Sequence, residues 1–220
     1  MLSSVKLIAY TQPVDETMST EEFIAYVARV SNPENQNNRV TTRRLLKYLA
    51  REKHWSPFEM SDLVMEICTT RDIGRQILRH RSFTFQEFSQ RYADATQLGF
   101  EISEARLQDN VNRQNSIESN DVELHESWDL RQQIVVNSAK ASYQWAIENG
   151  IAKEQARKIL PEGLTMSRMY MKGSVRSWIH YCDLRMGNGT QKEHREIANL
   201  CWDVVLTEIP SLKSVLQQEA

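Results

Sequence analysis

The densest set of groups able to bind an anion lies in residues 79–92, from Arg79-His80-Arg81 to Ser89-Gln90-Arg91-Tyr92. This stretch holds three arginines, a histidine, a glutamate (Glu87) and two serines (Ser82 and Ser89), with four aromatics among them. Over 71–91 five arginines (71, 75, 79, 81, 91) face only Asp72 and Glu87, a local charge of +3 on a chain whose net charge is −2. Planar guanidinium forks match phosphate and carboxylate oxygens. Ser89 and nearby backbone N–H groups can complete a phosphate cradle. The pattern predicts a pocket for an anion. General nucleic-acid affinity would need a basic face on the scale of the domain. Phe83, Phe85, Phe88 and Tyr92 can stack on a ring system, although core packing is the simpler assignment for each.

Other chemistries have weaker signals. His54, His80 and His180 fall in no HxxxH or HExxH pattern, so no metal site is expected. Nothing like G-x-S-x-G surrounds Ser89, which argues against a serine nucleophile. The seven glycines form neither G-x-G-x-x-G nor a P-loop, so a dinucleotide would have to bind by other means. Cys68, Cys182 and Cys201 are odd in number, widely spaced and without CxxC, as expected of reduced thiols in or near a core. Two competing readings are a nucleic-acid module built on the basic stretch 71–91 and a metal-dependent nucleotide hydrolase using His54, His80 and Glu87.

These side chains need a scaffold, and 220 residues suffice for one large domain or two small ones. Composition is ordinary for a soluble globular chain, with 40% hydrophobic and 25% charged residues. No apolar run approaches the ~20 residues of a membrane span. Residues 1–6 lack the features of a signal peptide, so a cytoplasmic location is expected. A strand is predicted over 5–12. Ser19 and Glu22 form a capping box opening a helix through Phe23, Val27 and Val30. A second amphipathic helix runs from Thr41 to about Lys53. Leu63, Met65 and Ile67 alternate with polar neighbours, a strand pattern. Thr70 can cap the next helix, on which Arg71, Arg75 and Arg79 share a face and Gln76, Arg79 and His80 converge at the end.

Residues 93–121 are weakly patterned, with a short strand expected near Phe100 and a long loop. A long helix is predicted over 124–149, with Trp128, Ile134, Val135, Ala139, Tyr143 and Ala146 facing the core. A short helix over 151–159 carries Arg157 and is stopped by Pro161. Alternation over 164–172 predicts another strand. Ser174 can cap the helix after it, with Arg176, His180 and Arg185 near one side. Thr190 with Glu193 reads as a second capping box, followed by a helix to Glu208 and a helical tail after Pro210. With no repeat and no linker, a single α+β domain over 1–220 is expected.

The order Arg79-His80-Arg81, seven residues, Ser89-Gln90-Arg91 resembles the signature of the flavin-dependent thymidylate synthases, the ThyX family. Thr84 and Gln86 replace a serine and an asparagine of the longer signature; both keep hydrogen-bonding groups. The resemblance extends to Ala28-Arg29-Val30-Ser31, His54-Trp55-Ser56-Pro57-Phe58-Glu59, Arg157-Lys158-Ile159-Leu160-Pro161 and the spacing of Arg176, His180 and Arg185. Gly189 stands where some members have a histidine. The resemblance implies a single domain with a mixed or antiparallel sheet flanked by helices. It also implies a homotetramer with active sites at subunit interfaces, and no nucleic-acid or membrane partner. The implied reaction is reductive methylation of dUMP to dTMP. Methylenetetrahydrofolate supplies the carbon, NADPH reduces the bound FAD, and no cysteine nucleophile is needed. By the same resemblance dUMP is held by Gln76, Arg79, Glu87, Ser89, Gln90, Arg91, Arg157 and Arg185. FAD is held by Ser56, Arg79, His80, Arg81, Glu87, Ser174, Arg176 and His180. Arg185 matches the catalytic arginine. A guanidinium, always protonated, suits polarisation of a uracil ring rather than base catalysis.

Overall fold

The computed structural model describes residues 3–216, so residues 1–2 and 217–220, with any continuation of the predicted helical tail, lie outside the description. Strand β1 (Ser4–Tyr10) leads to helix α1 (Thr20–Ala28). The predicted capping box is present: the Glu22 N–H donates to Ser19 Oγ (3.3 Å) and the Ser19 N–H donates to Glu22 Oε2 (2.8 Å). Helix α2 (Thr42–Arg51) buries Leu46, Leu49 and Ala50 and turns Arg43, Arg44, Lys47 and Arg51 outward. A 3-10 turn, Ser56–Met60, precedes strand β2 (Asp62–Thr70). Helix α3 (Arg71–Ile77) and strand β3 (Thr84–Glu87) follow.

Residues 93–121 hold more order than the sequence suggested. Phe100 bridges to Thr165, near the expected short strand, and strands β4 (Arg106–Gln108) and β5 (Ser116–Glu118) form a hairpin. Helix α4 (Val122–Glu148) is the long predicted helix. The short helix α5 (Lys153–Ala156) runs into a 3-10 turn, Arg157–Ile159. Strand β6 (Met166–Ser174), helix α6 (Val175–Met186) and helix α7 (Lys192–Glu208) complete the core, followed by a 3-10 turn, Pro210–Ser214.

The main sheet has the order β1-β2-β6-β3, with every pairing antiparallel. Period-two alternation puts Leu63, Met65, Ile67, Met169 and Met171 on one face, all fully buried beneath α3, α6 and α7. Gly173 lies opposite Leu63, and the Phe83 ring fills the place its side chain would take: a Cβ there would sit 2.5 Å from the ring. The other face is polar, with Lys172 paired to Asp62 (2.8 Å) and Tyr170 half exposed.

Three local expectations are corrected. Thr70 occupies the N-cap of α3 but does not cap it, because its hydroxyl donates to Asp72. Thr190 and Glu193 form no capping box: Gln191 is the N-cap of α7, and Glu193 is drawn into an ion pair with Arg106, a stronger partner than a neutral backbone N–H. On α4, Ala139, Tyr143 and Ala146 are buried as expected, but Trp128, Ile134 and Val135 are 42%, 55% and 49% exposed. The helix docks through Gln132, Val136, Ala139, Tyr143 and Ala146, and those three residues point away from the chain's own core.

Candidate active site

The sequence-predicted residues fall at four stations around the sheet. The first is the junction of β6 and α6. Ser174 does cap α6, its Oγ accepting from the Ser177 N–H (3.2 Å), and it also donates to Glu59 Oε2 (2.8 Å). Arg176, in the first turn of α6, pairs with the same Glu59. The Arg176 guanidinium and the Ser174 hydroxyl hold the Glu59 carboxyl below its ordinary range. Ser56 begins the turn that carries Glu59. His180 lies one turn beyond Arg176 and sets its ring edge-on to Trp55 at 5.0 Å. Burial, then Arg176, pushes its pKa down. A cleft of about 470 Å³ opens here, lined by Glu59, Ser82, Thr84, Ser174, Arg176 and His180 among others.

The second station is built on Arg185. Its Nε donates to His80 Nε2 at 2.9 Å, so the His80 ring accepts there and carries its proton on Nδ1. Burial, then the charges of Arg185 and Arg79, lowers the His80 pKa to about 4. The ring packs edge-on against Tyr181 at 4.9 Å. Behind it His194 is fully buried, with Nε2 3.2 Å from the Tyr181 hydroxyl and Nδ1 3.3 Å from Gln76 Oε1. Gln76 Oε1 can only accept, which assigns the His194 proton to Nδ1. Burial, then Arg185 and His80, lowers the His194 pKa to about 3. Gln76 also donates to Gln191 at 2.8 Å. Arg185 does not share a face with Arg176 and His180. Those two stand four apart, whereas five further residues turn Arg185 roughly 140° around the helix.

The third station is Glu87, at the end of β3. Arg71 Nη1 lies 3.5 Å and Arg75 Nη1 3.8 Å from its carboxylate, and Ser167 donates to it at 2.9 Å. Both arginines also reach Glu162 through Nε at 3.1 Å. Arg71 and Arg75 are therefore neutralised within the chain, and Arg91, a third of the five clustered arginines, also meets an acid, Glu154. Arg79 does not join them, because α3 ends at Ile77 and Arg79 emerges exposed beyond it. The basic surface required of a nucleic-acid module is accordingly reduced. The hydrolase reading fails on geometry, since His80 Nε2 is taken by Arg185 and Glu87 by arginines.

The fourth station is the loop after β3. The Ser89 side chain is exposed, while its carbonyl accepts from the Tyr92 and Ala93 N–H groups at 3.1 and 3.0 Å. Gln90 is buried, and among the described residues its Nε2 has no partner. Arg91 lies 3.7 Å from Glu154 on α5, Lys153 holds the Tyr92 carbonyl at 3.0 Å, and Arg157 follows directly. Arg79 and Arg81 flank the inward His80, are exposed, and make no ion pair among the described residues. Glu59, His194, Tyr181 and Glu162 join these stations without being singled out by the sequence, although Glu59 lies within the segment 54–59 and is recoverable from it. Nothing local marked the others, since their partners lie 13 to 118 residues away.

The fold is similar to that of PolB, a UMP/dUMP methylase from Streptomyces cacaoi bound with 5-Br dUMP. The TM-score is 0.83, covering 97% of this chain and 93% of the other at 24% identity. Among its relatives, a probable flavin-dependent thymidylate synthase of Paramecium bursaria Chlorella virus 1 is 49% identical, covering 97% of this chain and 98% of its own. The flavin-dependent thymidylate synthase of Synechocystis sp. is 48% identical, covering 97% and 99%. Residues 7–211 match the family model described as thymidylate synthase complementing protein. The chain belongs to that family. Its member described here has three free, buried cysteines. Burial pushes the Cys182 and Cys201 thiols well up, so neither supplies a thiolate.

Proposed function

We propose that this chain is a flavin-dependent thymidylate synthase that converts dUMP to dTMP by reductive methylation, with methylenetetrahydrofolate as carbon donor and NADPH as reductant of FAD. The observation that carries the reading is near-half identity over almost the full length of two flavin-dependent thymidylate synthases. The whole span 1–220 acts as one catalytic domain.

The residues at the β6–α6 junction fit FAD. Ser174, Arg176, His180 and Ser56 offer hydroxyl, guanidinium and imidazole groups beside the N-terminus of a twelve-residue helix, an arrangement suited to phosphate oxygens. Arg79, His80, Arg81 and Glu87 are assigned to the same cofactor, with the exposed arginines reaching a neighbouring subunit's cleft. When bound, FAD supplies the hydride chemistry.

The protein supplies charge and orientation. Arg185 cannot act as a base, because a guanidinium has no lone pair to give and stays protonated. Its Nε is spent on His80, which leaves the Nη groups to meet the substrate. Aimed at the O2/N3 edge of uracil, they stabilise negative charge on the ring, ease loss of the N3 proton and leave C5 electron-rich. His80 can do this positioning only while neutral, and its depressed pKa keeps it so. Gln76, Arg79, Glu87, Ser89, Gln90, Arg91 and Arg157 hold dUMP. The unpaired Gln90 Nε2 supports this, being a buried donor that a ligand oxygen would satisfy.

The assembly is a homotetramer with shared active sites. The outward Trp128, Leu130, Ile134, Val135 and Trp145 on α4 support burial against other copies. The protein works in the cytoplasm. Reduced buried thiols fit that compartment, and among the described residues no helix is long and apolar enough to cross a membrane. The test is direct. Purified protein is expected to be yellow and to release tritium from dUMP labelled at C5 when given folate and reductant. A colourless protein that takes up no FAD would refute the assignment.

A further inference from the structure

A cavity of about 950 Å³ among the described residues shares His180 and its neighbour Trp55 with the first station above. Its walls carry five cations, Arg29, Arg44, Lys47, Arg51 and Lys53, against one acid, Asp183. Two of the five are partly engaged: Arg29 with Thr41 (2.9 Å) and Arg51 with Glu52 (2.8 Å). Arg44, Lys47 and Lys53 make no ion pair among the described residues. On a chain with net charge −2, this is a net positive concavity.

Backbone strain adds an independent mark. Lys53 has φ +56°, the one non-glycine residue with positive φ among the described residues. It closes α2 in a Schellman motif, its N–H bonding to the Ala50 carbonyl (3.1 Å) and the His54 N–H to that of Leu49 (2.8 Å). Glycine is the ordinary residue there, because a Cβ is disfavoured in the left-handed region. A lysine held against that preference, with its side chain in the cavity wall, indicates that the charge is used.

His180 lines both this cavity and the β6–α6 cleft assigned to FAD, so the two spaces adjoin. Trp55 and Tyr48 add aromatic surface to the larger one. We infer that this basic cavity binds the polyanionic part of a co-substrate of the flavin reaction. The anion is either the carboxylates of a folate glutamyl tail or the phosphates of NADPH. The inference rests on the function proposed above.

The test is steady-state kinetics of the FAD-loaded enzyme carrying Arg44→Gln with Lys47→Gln, and separately Lys53→Gly. The double variant is expected to raise the KM of one co-substrate about tenfold, as for loss of a charge-assisted contact. Flavin content and the KM for dUMP stay at wild-type values, and the wild-type KM itself rises with salt. A folate tail as occupant shows as a larger effect on polyglutamylated than on monoglutamyl folate. The phosphates of NADPH as occupant show as an effect on NADPH that is absent with NADH. Lys53→Gly is expected to raise both Tm and that same KM, whereas a purely structural lysine would raise Tm alone. Wild-type turnover with unchanged KM values for both co-substrates in the variants overturns the inference, as does loss of flavin. A wild type that releases no tritium overturns the proposed function instead.

Discussion

His194 offers the most direct check on the structure behind Arg185. The ring is fully buried and wedged between the Tyr181 hydroxyl and Gln76, with the Arg185 charge nearby. Its pKa falls from 6.5 to about 3. Above pH 6.5 the ring is neutral in folded and unfolded chains alike, and its contribution to stability is fully present. As pH falls below 6.5 the unfolded chain takes up a proton that the folded one refuses, and stability is lost progressively until the folded pKa is passed. The slope is at most about 1.4 kcal/mol per pH unit, so lowering pH from 7 to 5 removes about 2 kcal/mol through this one residue. His80 titrates in the same direction, its pKa lowered to about 4. It is only half buried, and solvent screening reduces its share to about 1 kcal/mol. Against a total stability of about 5–15 kcal/mol, the sum is measurable.

The perturbation is His194→Gln. Glutamine can donate to Gln76 and accept from Tyr181 but does not titrate. Urea unfolding of wild type and variant at pH 7, 6 and 5, at fixed ionic strength, gives two slopes of stability against pH. The wild type is expected to lose about 2 kcal/mol more than the variant between pH 7 and 5. Carboxylates such as Glu59 contribute equally to both and cancel. Parallel slopes, or an NMR titration of His194 near 6.5, would refute the burial and neutrality described for this histidine.

Arg185→Ala is expected to lower kcat by about 10²–10³-fold while Tm hardly moves, because Arg185 bonds His80 and little else; equal losses of activity and stability would count against an electrostatic role. Gly173→Ala drives a Cβ into the Phe83 ring and is expected to cost about 1–3 kcal/mol in urea unfolding; an unchanged midpoint would mean that the ring is free to move. Ser89→Ala is expected to retain part of the activity with a weaker KM for dUMP; complete loss of turnover with intact dUMP binding would reopen the nucleophile.

The sequence was legible where a residue's partner is close along the chain or repeats with the period of its element. Alternation at Leu63, Met65 and Ile67 located β2, and Ser19 with Glu22 located the start of α1, because both signals are local. The charge count over 71–91 was misleading for the opposite reason. Glu162, which takes up Arg71 and Arg75, is about ninety residues away in sequence. Thr190 and Glu193 have the spacing of a capping box, yet Arg106 from the hairpin outcompetes the backbone. Helical periodicity on α4 identified apolar positions but could not say which of them the chain itself would cover. The outward Trp128, Ile134 and Val135 mark that limit.

The Arg-His-Arg triplet acquires a division of labour from the turn it occupies. After α3 ends at Ile77, the chain reverses towards β3, and consecutive side chains take different directions. His80 goes inward, where Tyr181 and Arg185 fix its ring and its neutral state. Arg79 and Arg81 go outward without an intrachain partner among the described residues. A neutral anchor between two exposed cations has a physical logic: it sets the height and direction of the turn that carries them. Were the histidine charged, it would repel Arg185 and both neighbours, and the turn would lose its fastening. With the histidine turned inward, Arg79 and Arg81 are the members of the triplet left open to an anion.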